Sequence, residues 1–174
     1  MAKSTYVKNF THGTVTLIGG ATPTPLELEL ECDNGDINVS GLVDGLYEII
    51  KYERRGRLKS VARGTRVYPS GSLTAMFSQF SDATTGCISD FLSLKTGSAF
   101  AARVGTMGAA PKPDTIDIKI QIEGTDFGDD FDHTFTMEDC RVSLDWSEGD
   151  PDTWSLSWEI LGAITGDVAY SQAA

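Results

Sequence analysis

Histidine is scarce in this chain, and its scarcity weighs against an enzyme. The 174 residues include only His12 and His133. Hydrolases with a Ser-His-Asp or Cys-His arrangement need a histidine beside the nucleophile. No catalytic motif surrounds His12, and His133 falls on the apolar phase of a predicted strand, as a core or interface histidine would. Nucleophile-elbow, phosphate-loop and dinucleotide-binding patterns are also missing, so we predict no catalytic residue.

Cysteine is equally sparse, with Cys32, Cys87 and Cys140 far apart in the sequence. An odd number without a C-x-x-C pair supports neither a disulfide framework nor a zinc site. We expect these cysteines to be reduced and buried as small hydrophobic side chains. No cofactor and no metal site are predicted.

Long hydrophobic runs are absent as well. Apolar stretches extend for a few residues only, far short of the ~18 to 20 that cross a bilayer. The first ten residues, MAKSTYVKNF, have no hydrophobic core. We therefore expect a soluble protein made in the cytoplasm. A length of 174 residues predicts one domain over 1–174, with flexible arms at about 1–13 and 163–174.

Negative charge, in contrast, is abundant and unevenly distributed. The chain has 14 Lys and Arg against 25 Asp and Glu, for a net charge of −11. Residues 1–66 contain 9 basic and 8 acidic side chains, whereas residues 67–174 contain 5 and 17. Half of the bases fall in one basic segment: Lys51, Arg54, Arg55, Arg57, Lys59, Arg63 and Arg66. An acidic body therefore carries one strongly basic element.

Three interpretations of this basic segment are open. It is a solvated hairpin with a charge excess, a nucleic-acid site, or an element that docks on the acidic surface of another copy. Tyr52 and Tyr68 could stack on bases, but the acidic body would repel phosphates. Docking between copies would be a head-to-tail contact, which builds rings or filaments.

Apolar and polar residues alternate with the period of a β-strand in five places. These are 26–32, 116–123, 131–138, 142–146 and 154–160. Weaker strands fit 14–18, 36–39, 46–53, 58–61 and 72–78. Arg54-Arg55-Gly56-Arg57 is typical of a hairpin tip, and Glu148–Asp152 is typical of a turn. The predicted fold class is all-β, a mainly antiparallel sandwich or barrel of about eight to ten strands.

One short α-helix is predicted to flank the sheet. Thr84 or Thr85 can cap its start, and Gly97 can end it. Between these positions an apolar stripe recurs at helical spacing: Ile88, Phe91 and Leu92. Such a stripe must pack on the sheet.

Acidic side chains occupy the polar phase of the predicted strands. These are Glu27, Glu29, Glu31, Asp117, Glu123, Glu138, Asp145 and Glu159. The face that they form is either merely solvated or a surface that must not bind a polyanion such as DNA. A separate cluster, Asp126–Asp132, could bind a cation. Its spacing does not match a calcium loop, and a solvated turn fits it better.

Several of these segments together resemble the major tail tube proteins of long-tailed bacteriophages. In order, they are GLYEII at 45–50 running through Arg55-Gly56, YPSGSLTAMF at 68–77, the short helix, FTMEDC at 135–140 and WSLSWE at 154–159. The resemblance covers roughly residues 14–162 and rests on the order of elements rather than on a strict signature.

The resemblance implies a structural protein of a phage tail, not an enzyme. Such proteins form hexameric rings that stack into a hollow tube, and DNA passes through the negatively charged lumen without specific binding. The implied partners are further copies of the chain and the terminator, tape measure and distal tail proteins, with no membrane. The implied location is the virion tail. The hairpin at 47–61, extended to Arg66, matches the element that reaches the next ring. Candidate lumen-facing acids are Glu27, Glu29, Glu31, Asp117 and Glu123.

Other functions use the same class of fold. A secretion-system tube protein or a tail terminator would share it. A ligand-binding β-sandwich would want exposed aromatic side chains, whereas Trp146, Trp154 and Trp158 all fall on the apolar strand phase, which predicts core positions. An enzyme on such a fold would need a histidine or a convergent pair of carboxylates.

Overall fold

A computed structural model describes residues 13–20, 25–30, 37–42, 47–76, 86–94, 96–108, 111–123 and 132–166. Within them, the strands are β1 Gly13–Gly19, β2 Leu26–Leu30, β3 Asn38–Ser40, β4 Tyr47–Arg54, β5 Arg57–Arg66, β6 Ser70–Met76, β7 Ile116–Ile122, β8 His133–Ser147, β9 Thr153–Ile160 and β10 Ile164–Gly166. The helix, α1, is Ile88–Ser93. All strand pairs are antiparallel, so the predicted all-β class with one short helix is confirmed.

Eight strands form one sheet, and the longest strand, β8, runs through both parts of it. The order is β2-β1-β7-β8-β9-β6-β3, and β10 also pairs with β8. β8 pairs with β7 and β10 through its first part, as far as Cys140, and with β9 from Cys140 onward. We call β2, β1, β7, β10 and the first part of β8 the first half-sheet. The remainder of β8, with β9, β6 and β3, is the second half-sheet.

The two parts of β8 meet at Asp139, whose backbone has a left-handed φ of 53°. The β7 ladder has a bulge at this point. Asp117 Oδ1 accepts a hydrogen bond from the Asp139 N–H at 2.9 Å, and Thr106 Oγ1 donates one to Asp139 Oδ1 at 2.7 Å. The sequence predicted two strands here, 131–138 and 142–146. The structure has one, because a bulge changes the course of a strand without ending it.

One hydrophobic core draws apolar side chains from both half-sheets and from α1. Its buried members include Val15, Leu17, Ile118, Ile120, Leu73, Leu156, Trp158 and Phe91. The ring of Phe91 meets Phe100 edge-on, with centroids 4.9 Å apart. Gly71 is required by this packing, because any side chain there would overlap the Trp158 ring. Cys87 and Cys140 are free and buried, as predicted, and Cys32 lies outside the described residues.

The helix is shorter than predicted. It begins after Cys87 and ends at Leu94, which adopts φ 54°, so Gly97 does not cap it. Thr84 and Thr85 lie outside the described residues. Within the described part of the chain, no helix has the length and apolarity to cross a bilayer.

Residues 164–166 of the predicted C-terminal arm belong to the sheet. Ile164–Gly166 forms β10, which pairs with Phe135–Met137 of β8, and Ile164 is buried. The apolar side chain of Ile164 packs in the core beside β8. The residues around it in the sequence are small, so the alternation did not predict a strand here. Residues 167–174, and residues 1–12 of the predicted N-terminal arm, lie outside the described residues.

Candidate functional site

β4 and β5 form a two-stranded hairpin separate from the main sheet. Their pairing runs from Tyr47 opposite Arg66 to Arg54 opposite Arg57, and Arg55 and Gly56 make the turn. Both turn residues have positive φ, 54° and 71°, as a two-residue type I′ turn requires. The predicted hairpin tip is therefore confirmed. We call the whole element, Tyr47–Arg66, the basic hairpin.

All seven bases of the basic segment lie on this hairpin. Near its base, the guanidinium carbons of Arg63 and Arg66 lie 5.1 and 4.9 Å from the ring centroids of Tyr47 and Tyr68. The other five bases are exposed near the turn, and none of them makes a salt bridge within the described residues: Lys51, Arg54, Arg55, Arg57 and Lys59. Positive charge therefore dominates the outer end of the hairpin.

Large apolar side chains are exposed on both faces of the basic hairpin. Directly opposed residues share a face, so Ile49 and Val61 lie on one face while Ile50 and Tyr52 lie on the other. These four side chains are 65, 56, 42 and 52 % exposed. A lone two-stranded hairpin is marginally stable in water, and clustered exposed apolar groups mark interaction surfaces. This element has the features of a contact that a partner completes.

The candidate lumen-facing acids lie mainly on the first half-sheet. Glu27 and Glu29 are exposed on the edge strand β2, and their cross-strand rows continue through β1 to Asp117 and Lys119 of β7. Lys119 interrupts the negative charge of this face. Glu123 follows β7 and is half-buried, and Glu31 lies outside the described residues.

Asp117 differs from the other candidate acids because its carboxylate supports the fold. It is half-buried, and it accepts the hydrogen bond from Asp139. Burial raises the pKa of the Asp117 carboxyl, and the charges of Asp139 and Glu138 raise it further, while the hydrogen bond from Asp139 opposes them. Burial, together with Asp117 and Asp139, also raises the pKa of the Cys140 thiol, which stays protonated and unreactive.

The remaining predicted acids are divided between the two half-sheets. Glu138 lies in the first part of β8, whereas Asp145 and Glu159 lie on the second half-sheet. Glu159 is directly opposite Arg141 and is surrounded by exposed serines. A shallow depression of about 500 Å³ lies here, lined mainly by Ser40, Ser70, Ser72, Ser143 and Ser157.

Trp146 is exposed, which contradicts its predicted place in the core. Trp158 is buried and Trp154 is half-buried, but Trp146 is 53 % exposed near the end of β8. Strand periodicity predicts the side on which a residue lies. It does not tell how far along the strand the core extends, so this surface tryptophan was missed.

Within the described part of the chain, no group of three or more His, Cys, Asp or Glu side chains could hold a metal ion. The cluster Asp126–Asp132 lies outside the described residues except for Asp132. His133 is half-buried on β8, and His12 also lies outside the described residues. The turn predicted at Glu148–Asp152 is confirmed, with a hydrogen bond from the Gly149 N–H to Asp152 Oδ1 at 2.9 Å.

Comparison with known proteins gives one structural likeness to report. No protein-family model and no curated protein matches this chain. A chain from the sheath-tube complex of an extracellular contractile injection system, PVC, in its extended state, aligns over 99 % of this chain and 100 % of its own length. The identity is 15 % and the TM-score is 0.48. Likeness at that level assigns no function, so the function has to follow from the surfaces of this chain.

Proposed function

We propose that this chain is a structural subunit that assembles with copies of itself into stacked hexameric rings. The stack would form the hollow tail tube of a long-tailed bacteriophage, through which DNA passes. Its partners would be further copies of the chain and the terminator, tape measure and distal tail proteins. It would be made in the host cytoplasm and would act in the virion without catalysing a reaction.

The basic hairpin carries this proposal. Five exposed bases without a salt-bridge partner in the described residues stand beside apolar groups on both faces of one separate hairpin. The chain as a whole has a net charge of −11. A basic, apolar element on an acidic protein fits a contact between copies, since opposite charges bring the copies together and apolar burial holds them. A nucleic-acid site is less well supported, because the body would repel phosphates.

The charge of the body suits a conduit for DNA. A ring of six copies would carry six times −11, or −66. We propose that the face bearing Glu27 and Glu29 lines the lumen, together with Glu31, Glu123 and the partly buried Asp117. Like charges there would keep DNA from adhering to the wall. The outer edge of β2, which pairs with no further strand among the described residues, would be covered by a neighbour in the ring.

Electron microscopy of the purified protein tests the assembly. The protein is concentrated at low and at moderate salt and imaged in negative stain. We expect rings or hollow tubes of uniform width, with six-fold end views and more stacking at low salt, because salt screens exposed charges. Monomers at every protein and salt concentration would contradict the proposal.

Removal of the hairpin separates folding from assembly. Tyr47 and Arg66 are directly paired, so residues 48–65 can be replaced by Asn-Gly, which closes a two-residue hairpin. We expect the variant to unfold at nearly the same temperature as the original chain and to form no stacked tubes. Tubes of normal length from the variant would contradict the role proposed for the hairpin.

A labelling experiment tests the proposed lumen. Glu29→Cys is treated with a bulky maleimide before and after assembly. We expect rapid labelling of the unassembled protein and protection in tubes, because the reagent cannot enter a closed lumen. The unassembled variant is the matched control. Equal labelling in both states would place Glu29 on the outside of the tube.

A further inference from the structure

The end of the β8–β9 hairpin that carries its turn exposes a large aromatic side chain, Trp146. Along β8, the apolar-phase side chains become more exposed: Cys140 is buried, Val142 and Leu144 are half-buried, and Trp146 is 53 % exposed. Beyond Cys140, β8 pairs only with β9 among the described strands. An exposed tryptophan therefore lies on a strand whose other edge has no partner among the described residues.

Acidic residues flank this tryptophan in the sequence. Four of the eight residues from 145 to 152 are acids, and none is a base: Asp145, Glu148, Asp150 and Asp152. Asp145, Glu148 and Asp150 are exposed, whereas Asp152 is half-buried and accepts the hydrogen bond of the turn. We call residues 145–152 the acidic end.

The basic hairpin joins the second half-sheet at the end opposite the acidic end. The hairpin rejoins this half-sheet at Ser70, which is opposite both Ser40 and Glu159. From Ser70, β6 runs to Met76, which is opposite Thr153 of β9. Thr153 is in turn paired with Ser147 of β8, which belongs to the acidic end. The six steps along β6 span about 20 Å. The hairpin therefore leaves the second half-sheet at one end, and the acidic end lies at the other.

We propose that the acidic end of one copy is the docking surface for the basic hairpin of the next copy. The charges are complementary, since the bases near the hairpin turn meet a cluster of acids. Trp146 offers a flat apolar face to the exposed side chains of the hairpin, and a guanidinium can stack on it as Arg63 does on Tyr47. Trp and Arg are also the residue types that most often dominate an interface.

The placement of the two surfaces determines the kind of assembly. A contact that joins one end of a copy to the opposite end of the next is heterologous, and it repeats without limit unless it closes into a ring. This arrangement matches stacking along a tube axis. The inference rests on the proposed function and names the surface that receives the hairpin.

A pair of charge-reversed variants tests the match. The hairpin variant carries Arg54→Glu, Arg57→Glu and Lys59→Glu, and it spares Arg55 because of the positive φ at that residue. The end variant carries Asp145→Lys, Glu148→Lys and Asp150→Lys. We expect neither variant to form tubes alone at moderate salt, since each places like charges in every contact.

Mixing the two variants should restore assembly. In an alternating stack, each reversed hairpin meets a reversed end, and each original hairpin meets an original end. We expect an equimolar mixture to form tubes, as should one chain with all six changes, whose net charge is again −11. A control with Asp126, Asp129 and Asp130 changed to Lys alters the total charge as the end variant does, and we expect it to keep forming tubes.

The outcomes distinguish this inference from the proposed function. If the original chain forms tubes and the end variant does so equally well, the acidic end is not the docking surface, although the chain is still a tube protein. Failure of the mixture to assemble, or equal loss in the control variant, would also overturn the inference. If the original chain never assembles, the proposed function itself fails.

Substitution of Trp146 tests the apolar part of the contact. Trp146→Ala should raise the protein concentration needed for tube formation about ten-fold or more, as truncation of a central interface tryptophan does. Trp146→Tyr should restore most of the assembly, because it keeps an aromatic face. Equal assembly of the alanine variant and the original chain would remove Trp146 from the contact.

Discussion

The sheet body and the basic hairpin are both antiparallel β-structure, but they are stabilised in different ways. Most strands of the body have a neighbour on each side and bury one face in the core. The hairpin has one strand pair and exposed apolar groups on both faces. Backbone pairing is thus similar in the two regions, and side-chain burial is not. A body of this kind folds by itself, whereas a lone two-stranded hairpin is marginally stable in water.

The sequence patterns of the two regions reflect this difference. β7 and β9 alternate strictly, because one face meets the core and the other meets solvent. β4 carries Ile49 and Ile50 next to each other, so neither of its faces is purely polar. Adjacent apolar residues on an exposed strand make sense when both faces become covered. Assembly between copies would provide that cover.

Proteolysis should show the largest difference between the two regions. Trypsin cleaves after Lys and Arg, and the hairpin offers five such exposed residues near its turn. Hairpin opening costs little, while cleavage in the body requires global unfolding, which costs about 5–15 kcal/mol. Among the described residues, we expect the first cuts between residues 51 and 66, at least about a thousand times faster than cuts in the body. Mass spectrometry of the early fragments measures this, and tube formation should slow the hairpin cuts.

Two isoleucines compare side-chain burial directly. Ile118 is fully buried in the core, whereas Ile49 is 65 % exposed on the hairpin. Ile118→Ala should lower the free energy of unfolding by about 2–5 kcal/mol. Ile49→Ala should change it by less than about 0.5 kcal/mol in the monomer. Urea denaturation of both variants checks these values.

The same isoleucine variants should behave differently in assembly. At a temperature where Ile118→Ala remains folded, it should still form tubes, because its hairpin is unchanged. Ile49→Ala should need a higher protein concentration to form them. A stable Ile49→Ala protein that assembles like the original chain would mean that this face of the hairpin stays exposed in the tube.

Two arginines provide a second matched pair, with a smaller expected effect. The guanidinium carbons of Arg103 and Arg63 each lie 5.1 Å from an aromatic centroid, that of Phe91 in the body and that of Tyr47 in the hairpin. Arg103 is buried, donates from Nε to the Phe91 carbonyl at 2.7 Å and forms a salt bridge with Asp114.

Methionine in place of each arginine separates their roles. Arg103→Met should cost about 2–3 kcal/mol, since it leaves a buried carbonyl without its charged donor. Arg63→Met should cost less than about 0.5 kcal/mol in the monomer. Thermal unfolding monitored by circular dichroism tests both. Equal losses in the two variants would show that the hairpin is as well packed as the body.

Much of the fold could be predicted from the sequence, because a strand with one buried face leaves a strong alternation. The hairpin tip was predictable as well, since a turn with two positive φ values favours glycine at Gly56. The continuity of β8 through Asp139 was not, because it depends on contacts with Asp117 and Thr106 from distant segments. The exposure of Trp146 depends on how far the core extends along β8, which strand periodicity does not encode.

The smallest expected effect concerns the carboxyl of Asp117, which is half-buried in the body. Its pKa is raised above the ordinary 3.8, chiefly by burial, so the folded chain binds this proton more tightly than the unfolded chain does. The stability that this group contributes is therefore present when it is protonated, and it is lost as the pH rises from 3.8 through the raised pKa.

Asp117→Asn keeps an oxygen to accept the Asp139 N–H but carries no charge. We expect the variant to equal or exceed the original chain at pH 7, by less than about 1 kcal/mol because the carboxyl is partly hydrated, and to lose that advantage near pH 4. Urea denaturation at both pH values measures this, with the exposed Glu29→Gln as a control that should show neither change. A variant that is much less stable at pH 7 would mean that the negative charge itself holds the bend of β8.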